Sequence, residues 1–262
     1  MKFLIFIAFC GLLGSSSLAF EEFAPFMVNS VRSAPVPYYV FIQYFNAQNL
    51  GFFGGGALIS TRHVLTSAVN VVGFARVTVY AGSSNRTAMR ELAVSGAANA
   101  ITSHPQYDAV NRNNDIAIIR LQTPIIPTAE IHHVAIPPTT TPALVLPFEN
   151  EEGFVPGFGF QNIGDSSPTQ FLYRGYQRTI GATRCLQFFG VNPTNTFCAE
   201  DNVERSNGCQ GDIGNPFVIS YRRSDVLAGI LSMHAPCGQW SPSAYTRITQ
   251  YLPWINEQLA IN

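Results

Sequence analysis

Gly208-Cys209-Gln210-Gly211-Asp212-Ile213-Gly214-Asn215-Pro216 is a glycine-punctuated loop that runs straight into the apolar stretch Pro216 to Ile219. Its meaning turns on position 213. Isoleucine carries no ionisable or nucleophilic atom, so no covalent catalysis can start from that side chain. Outward from this loop the chain repeats one pattern, short apolar runs separated by turn residues. Tyr38 to Tyr44, Gly56 to Ser60, His63 to Ser67, Arg76 to Tyr80 and Asp115 to Leu121 read as strands in the first half. Gly153 to Phe160, Asn195 to Ala199, Pro216 to Ile219, Val226 to Ser232 and Ala244 to Ile248 read as strands in the second. Such spacing indicates an all-β sandwich or barrel. The prolines and threonines of Ile136 to Pro142 mark a linker between two halves. Only Gln250 to Leu259, with Tyr251, Trp254, Ile255 and Leu259 at helical spacing, reads as a helix.

The 262 residues suffice for one large all-β unit or two small barrels. Residues 1–19 read as a secretory signal: Lys2, the apolar run Phe3 to Leu13, then small residues ending in Ser17-Leu18-Ala19. That run is too short to span a membrane and no later stretch is long enough, so a secreted, extracellular product is expected. Of the five cysteines, Cys10 leaves with the signal. Cys185, Cys198, Cys209 and Cys237 remain as an even set, for which disulfides are the default in an oxidising compartment. No C-x-x-C spacing supports zinc, and Ala81 to Glu91 holds too few acids for calcium, so neither metal nor cofactor is expected. Charged residues make up 12% of the chain and the formal net charge is −1, which leaves no electrostatic footprint for nucleic acid. A surface so poor in charge suits contact with another protein. Asn85-Arg86-Thr87 fits the acceptor pattern for an N-linked glycan.

Several segments, in order, resemble the chymotrypsin/trypsin-like serine proteases. Gly54-Gly55-Gly56-Ala57-Leu58-Ile59-Ser60 is similar to that family's Cys-Gly-Gly-Ser-Leu-Ile-Ser strand, and Val64-Leu65-Thr66-Ser67-Ala68-Val69-Asn70 to its Val-Leu-Thr-Ala-Ala-His-Cys. Asn114 to Leu121 resembles the strand that delivers the triad aspartate, Gly208 to Pro216 the nucleophile loop, and Ala244 to Ile248 the final strand. The resemblance covers 27–260 and implies two six-stranded antiparallel β-barrels, about 27–136 and 143–248, with a C-terminal α-helix at 249–260 and a cleft between the barrels.

Carried over residue by residue, the family's histidine, aspartate and serine fall on Val69, Asp115 and Ile213, so base and nucleophile are both missing. His63, His104, His132, His133 and His234 are the only imidazoles, each expected in a structural or solvent-facing role. Gly54 and Asn70 stand where the family has a pair of bridging cysteines, while Cys185 with Cys198 and Cys209 with Cys237 match two bridges that the family keeps. Active members pair a cut amino terminus with the aspartate at position 212. The stretch Pro25 to Ser30 has no basic residue before it, so Asp212 is expected either solvated in a zymogen-like loop or satisfied by backbone donors. Gly211 retains part of the oxyanion loop. Asn207 falls at the base of the specificity pocket, Ser243 replaces a wall glycine, and Met233-His234 stands for Trp-Gly, which narrows the entrance. Val69 and Ile213 are expected to meet as an apolar contact, and the Asp115 carboxyl to shift upward through desolvation unless Ser232 supplies a hydrogen bond.

The whole implies a catalytically inactive serine protease homologue, arthropod-like and without a clip-type module. It would bind an extracellular protein as regulator, cofactor or decoy in an immune or proteolytic cascade. Two alternatives are an adhesive or effector protein of saliva, venom or gut, and a hydrolase with an unrecognised nucleophile.

Overall fold

The structure, a computed structural model, describes residues 30–97, 99–139, 144–161, 165–203, 206–237, 239 and 241–261. The expected signal at 1–19, the stretch Pro25 to Asn29 and part of the expected 136–142 linker lie outside the described residues. In chain order the strands of the first half are β1 (Val31–Arg32), β2 (Tyr39–Phe45), β3 (Gly51–Leu58), β4 (His63–Thr66), β5 (Arg76–Ala81), β6 (Arg90–Leu92), β7 (Ile101–Ser103) and β8 (Ala117–Arg120). The second half contributes β9 (Glu152–Gly157), β10 (Tyr173–Ile180), α1 (Ala182–Phe189), β11 (Thr196–Glu200), β12 (Pro216–Tyr221), β13 (Ser224–His234), β14 (Ser243–Arg247) and α2 (Leu252–Leu259).

These strands form two antiparallel sheets, one from each half of the chain. In the second, β10 pairs with β9 on one side and β11 on the other, so β9, β10, β11, β14, β13 and β12 close into a six-stranded ring, and β1 adds a two-residue stub on β10. The first sheet runs β6-β5-β2-β3-β4-β8-β7, seven strands where six are expected. The extra strand arises from a break. Val94, just past β6, bridges to Leu121, just past β8, so β6 and β7 act as two halves of one interrupted sixth strand.

Burial explains which runs became strands. β2 lies between β3 and β5, and Tyr39, Val40, Phe41 and Ile42 are buried in succession, the pattern of a strand covered on both faces. In the second barrel Phe197, Phe217 and Tyr245 pack with ring centroids 5.0–5.2 Å apart at the centre of its core. α2 lowers Leu252 and Ile255 into the larger core cluster, which draws on both halves of the chain, while Trp254 rests on His104 at 5.3 Å.

β1, β6, β7, β10 and α1 have no counterpart in the sequence pattern, and the two longest show why. β10 turns Gly175, Gln177 and Thr179 inward and Tyr176 and Arg178 outward, so its buried face carries no hydrophobic signal. Gln177 is held there by the Tyr245 hydroxyl, which donates to Oε1 at 2.6 Å, and by its own donation to Ser206 O at 2.6 Å. α1 buries only Cys185 and ends on Gly190 in the left-handed region, φ 65°. Cys185 and the partly buried Phe189, one turn apart, form an apolar face only one turn long, too short to stand out in the chain.

Candidate functional site

The seam between the barrels brings Asp115, Val69 and the 208–216 loop together. Asp115 lies just ahead of β8 and is fully buried. Ser232 Oγ donates to its Oδ2 at 2.6 Å, the Val69 backbone N–H donates to Oδ1 at 3.0 Å, and Thr246 Oγ1 donates to its backbone carbonyl at 2.8 Å. Ser67 Oγ is buried beside the same carboxylate without meeting hydrogen-bond geometry. Arg112 Nη1 stands 3.9 Å from Oδ2, at the outer limit of an ion pair. Burial holds the Asp115 carboxyl above its ordinary range, opposed by Ser232, Ser67, the Val69 N–H and Arg112. The expectation that a Ser232 hydrogen bond would cancel the upward shift is therefore corrected. The bond forms, yet the desolvation of a wholly buried carboxylate outweighs it. Residue 69 meets this carboxylate through an amide, and its half-buried side chain carries only carbon.

The 208–216 loop is shaped by two glycines in the left-handed region, Gly211 at φ 87° and Gly214 at φ 89°. Gly211 lies against the Phe53 ring and Gly214 against the Gly55 carbonyl, so neither position has room for a side chain. Ile213 is half-buried and packs on the core of the second barrel. Its carbonyl accepts from Gly55 N at 3.0 Å and from Asn70 Nδ2 at 2.8 Å. The Asn70 amide fills the space above Gly54, where an added Cβ would lie 2.6 Å from Nδ2. A hydrogen bond across the seam thus stands where the resemblance places a disulfide.

Asp212 is completely buried and accepts three hydrogen bonds: Cys209 N at 3.0 Å, Gly159 N at 3.1 Å and Asn215 Nδ2 at 2.8 Å. Of the two expectations for this carboxylate, satisfaction by backbone donors is what forms, with a side-chain amide added. Desolvation still pushes its pKa up to about 7 against those donors. Gly157 and Gly159 leave the carboxylate its space, and Gly55 leaves space for Asn215, whose Oδ1 accepts from the Tyr39 hydroxyl at 3.3 Å. Sequence reasoning missed Asn215 and Arg112. The visible signal for Asn215 was a lone asparagine in an otherwise glycine-rich run.

Of the expected pocket residues, Ser243 and His234 are brought together at Gly208. Ser243 Oγ accepts from Gly208 N at 2.8 Å, and an added Cβ on Gly208 would sit 3.2 Å from Ser243 Oγ and 3.3 Å from His234 Cβ. Asn207 Oδ1 accepts from Asp201 N at 3.2 Å, and Met233 packs beside Cys185 and Cys198. His234 bonds through Nδ1 to Ala235 O at 2.7 Å, and burial lowers its pKa. Both disulfides form as the resemblance implies, Cys185 with Cys198 and Cys209 with Cys237.

The other histidines serve elsewhere. His104 packs on Tyr251 and Trp254, His132 contacts the His133 carbonyl, and His63 pairs with Ser60 Oγ at 2.9 Å. That serine–histidine pair is a turn: Ser60 Oγ accepts from the Arg62 and His63 N–H groups, and His63 Nε2 is buried without a partner. Asn85 caps a short turn, its Oδ1 accepting from Thr87 N at 3.2 Å and Thr87 Oγ1 at 2.9 Å. Among the described residues no three His, Cys, Asp or Glu side chains cluster as metal ligands, and no helix is long and apolar enough to cross a membrane.

The profile of the Trypsin family matches residues 28–255. A chymotrypsin of Phaedon cochleariae is 29% identical over 231 residues, covering 87% of this chain and 80% of the relative. Transmembrane protease serine 11G of Mus musculus is 29% identical over 79% of this chain, and vitamin K-dependent protein C of Mus musculus 28% identical over 78%. The chain spans about half the length of these two mouse relatives, 49% and 46%. A solved structure described as HL collagenase superposes with a TM-score of 0.75 at 25% identity, covering 90% of this chain and 99% of the other.

Proposed function

The chain belongs to the trypsin family, and from that premise we propose that it is a non-catalytic member that acts by binding. In this reading it is secreted and engages another extracellular protein, as regulator, cofactor or decoy in a proteolytic or immune cascade. The observation that carries the reading is the pair Val69 and Ile213 at the positions of base and nucleophile, beside an intact Asp115–Ser232 hydrogen bond. Neither side chain can accept or donate a proton, while the relatives are named as proteases. The loop around them keeps its order through buried hydrogen bonds of Asp212, Asn215 and Asn70, so the loss of base and nucleophile leaves the surrounding fold in place. Secretion rests on the signal-like residues 1–19 and the two disulfides. An N-linked glycan on Asn85 belongs to the same reading, and a mass decrease on amidase treatment of the secreted protein checks it.

Peptide hydrolysis and labelling by a broad serine-directed probe, compared between the natural chain and Val69→His with Ile213→Ser, test the proposal. A natural chain that neither cleaves nor labels upholds it. Turnover or reproducible labelling of the natural chain overturns it and identifies the true nucleophile.

A further inference from the structure

A groove of about 530 Å³ opens between the turn at 111–114 and the chain leaving α1, lined by asparagines at 111, 113, 114, 192 and 195. No charged side chain is among its lining residues, so the groove offers no countercharge to a phosphate or an ionic side chain. Two of the five asparagines hold the bank. Asn114 donates from Nδ2 to Gln106 O at 2.8 Å and accepts at Oδ1 from the Tyr251 hydroxyl at 3.0 Å, and Asn111 donates to Asp108 Oδ2 at 2.7 Å. The other three face the groove with capacity to spare. Asn192 accepts from Thr194 N and leaves Nδ2 without a partner, and the side-chain amides of Asn113 and Asn195 make no hydrogen bond among the described residues. An amide offers a donor and an acceptor side by side, the pairing that a hydroxyl-rich neutral ligand returns.

Apolar surface completes the lining. Leu186, half exposed in α1, stands with the exposed Pro193 on the same bank, above the buried Val191. Each bank carries a local constraint. Arg112 and Asn114 are held at φ 56° and 55°, a conformation side chains rarely adopt, and the Cys185–Cys198 disulfide pins α1 to β11. A site fixed before binding loses little freedom when a ligand arrives. None of the lining residues belongs to a strand, so the groove offers no ladder of backbone groups to an extended peptide. Its hydrogen bonds come from side-chain amides set beside methyl and methylene groups.

We propose that this groove binds an oligosaccharide containing N-acetylated hexose units, whose hydroxyl and amide groups meet Asn113, Asn192 and Asn195 and whose acetyl methyl meets Leu186 and Pro193. The proposal goes beyond the loss of peptide chemistry and stands whether or not the chain cleaves peptides. The test titrates triacetylchitotriose into the isotope-labelled full-length secreted protein and follows the asparagine side-chain amide resonances. The expected result is saturable shifts at residues 113, 192 and 195, with affinity lowered at least about tenfold in Asn113→Ala with Asn195→Ala. These two side chains make no internal hydrogen bonds, and an unchanged thermal midpoint verifies that the variant folds. Shifts absent up to about 10 mM saccharide, well above the millimolar range of weak complexes, overturn the proposal. Equal affinity in the double variant does the same. A neutral extended peptide that shifts these resonances when the saccharide does not also overturns it, by assigning the groove to a polypeptide.

Discussion

Two buried carboxylates, Asp115 and Asp212, sit on either side of one seam and are solvated by the protein in different ways. Asp115 accepts from one hydroxyl and one backbone N–H and has a guanidinium at 3.9 Å. Asp212 accepts from two backbone N–H groups and one amide, all neutral. Both carboxyls are shifted upward by burial, so a full set of neutral hydrogen bonds does not replace bulk water around a charge. The difference lies in what each site does when ionised. A nearby cation opposes the desolvation of Asp115, and the shift of Asp212 reaches about 7, inside the working pH of most secreted proteins.

The largest effect expected from this contrast is in the pH dependence of stability. Unfolded Asp212 releases its proton near the ordinary 3.8, while the folded protein retains it up to about 7. Between those values the native state holds the extra proton, so stability is fully present below the lower pKa and is lost as pH rises through the upper one. The loss is on the order of 4 kcal/mol. Denaturant midpoints between pH 4 and 8 should fall accordingly in the natural chain, and the Asp212 share of that fall should vanish in Asp212→Asn. A flat natural profile would mean that the three donors hold the ionised form, which breaks the contrast.

A smaller effect is expected at the other carboxylate. Ser232→Ala removes the 2.6 Å bond to Asp115 and should cost about 2 kcal/mol, with the Asp115 carboxyl moving further up in a carbon-detected NMR titration. An unchanged titration would show that Arg112 and the Val69 N–H suffice. Smallest is Asn70→Ala, which should cost about 1 kcal/mol, since Gly55 N still bonds the Ile213 carbonyl. The same variant should leave the Asp212 transition in place. A moved transition would join the two sites into one network and remove the basis for comparing them.

Much of this architecture is legible in the chain because most strands advertise themselves by burying apolar residues. Asp115 to Leu121 and Val226 to Ser232 are clear for that reason, and each corresponds to a strand within a few residues. β10 is not, because its inward face is Gly175, Gln177 and Thr179, stabilised by hydrogen bonds to residues far along the chain. α1 is hidden by the same logic, its anchor being a disulfide and not an apolar stripe. At the seam, Val69, Asp115 and Ile213 are found through the resemblance of their flanking segments to the family's motifs. The roles of Asn215 and Arg112 are not, since an asparagine or arginine can satisfy a buried carboxylate, or fail to, depending on which groups converge on it.

By itself the amino-acid sequence determined the strands that bury apolar residues, the four cysteines available for bridging and the chemical character of positions 69 and 213, because side-chain chemistry and hydrophobic period are local properties. Only the tertiary structure decided that Asp212 is sealed by Gly159, Cys209 and Asn215, and that Asn70 reaches the Ile213 carbonyl. It also decided that loops separated by some eighty residues enclose an asparagine-lined groove. Burial and hydrogen-bond satisfaction depend on distance in space, and distance in space is settled when the barrels close and pack.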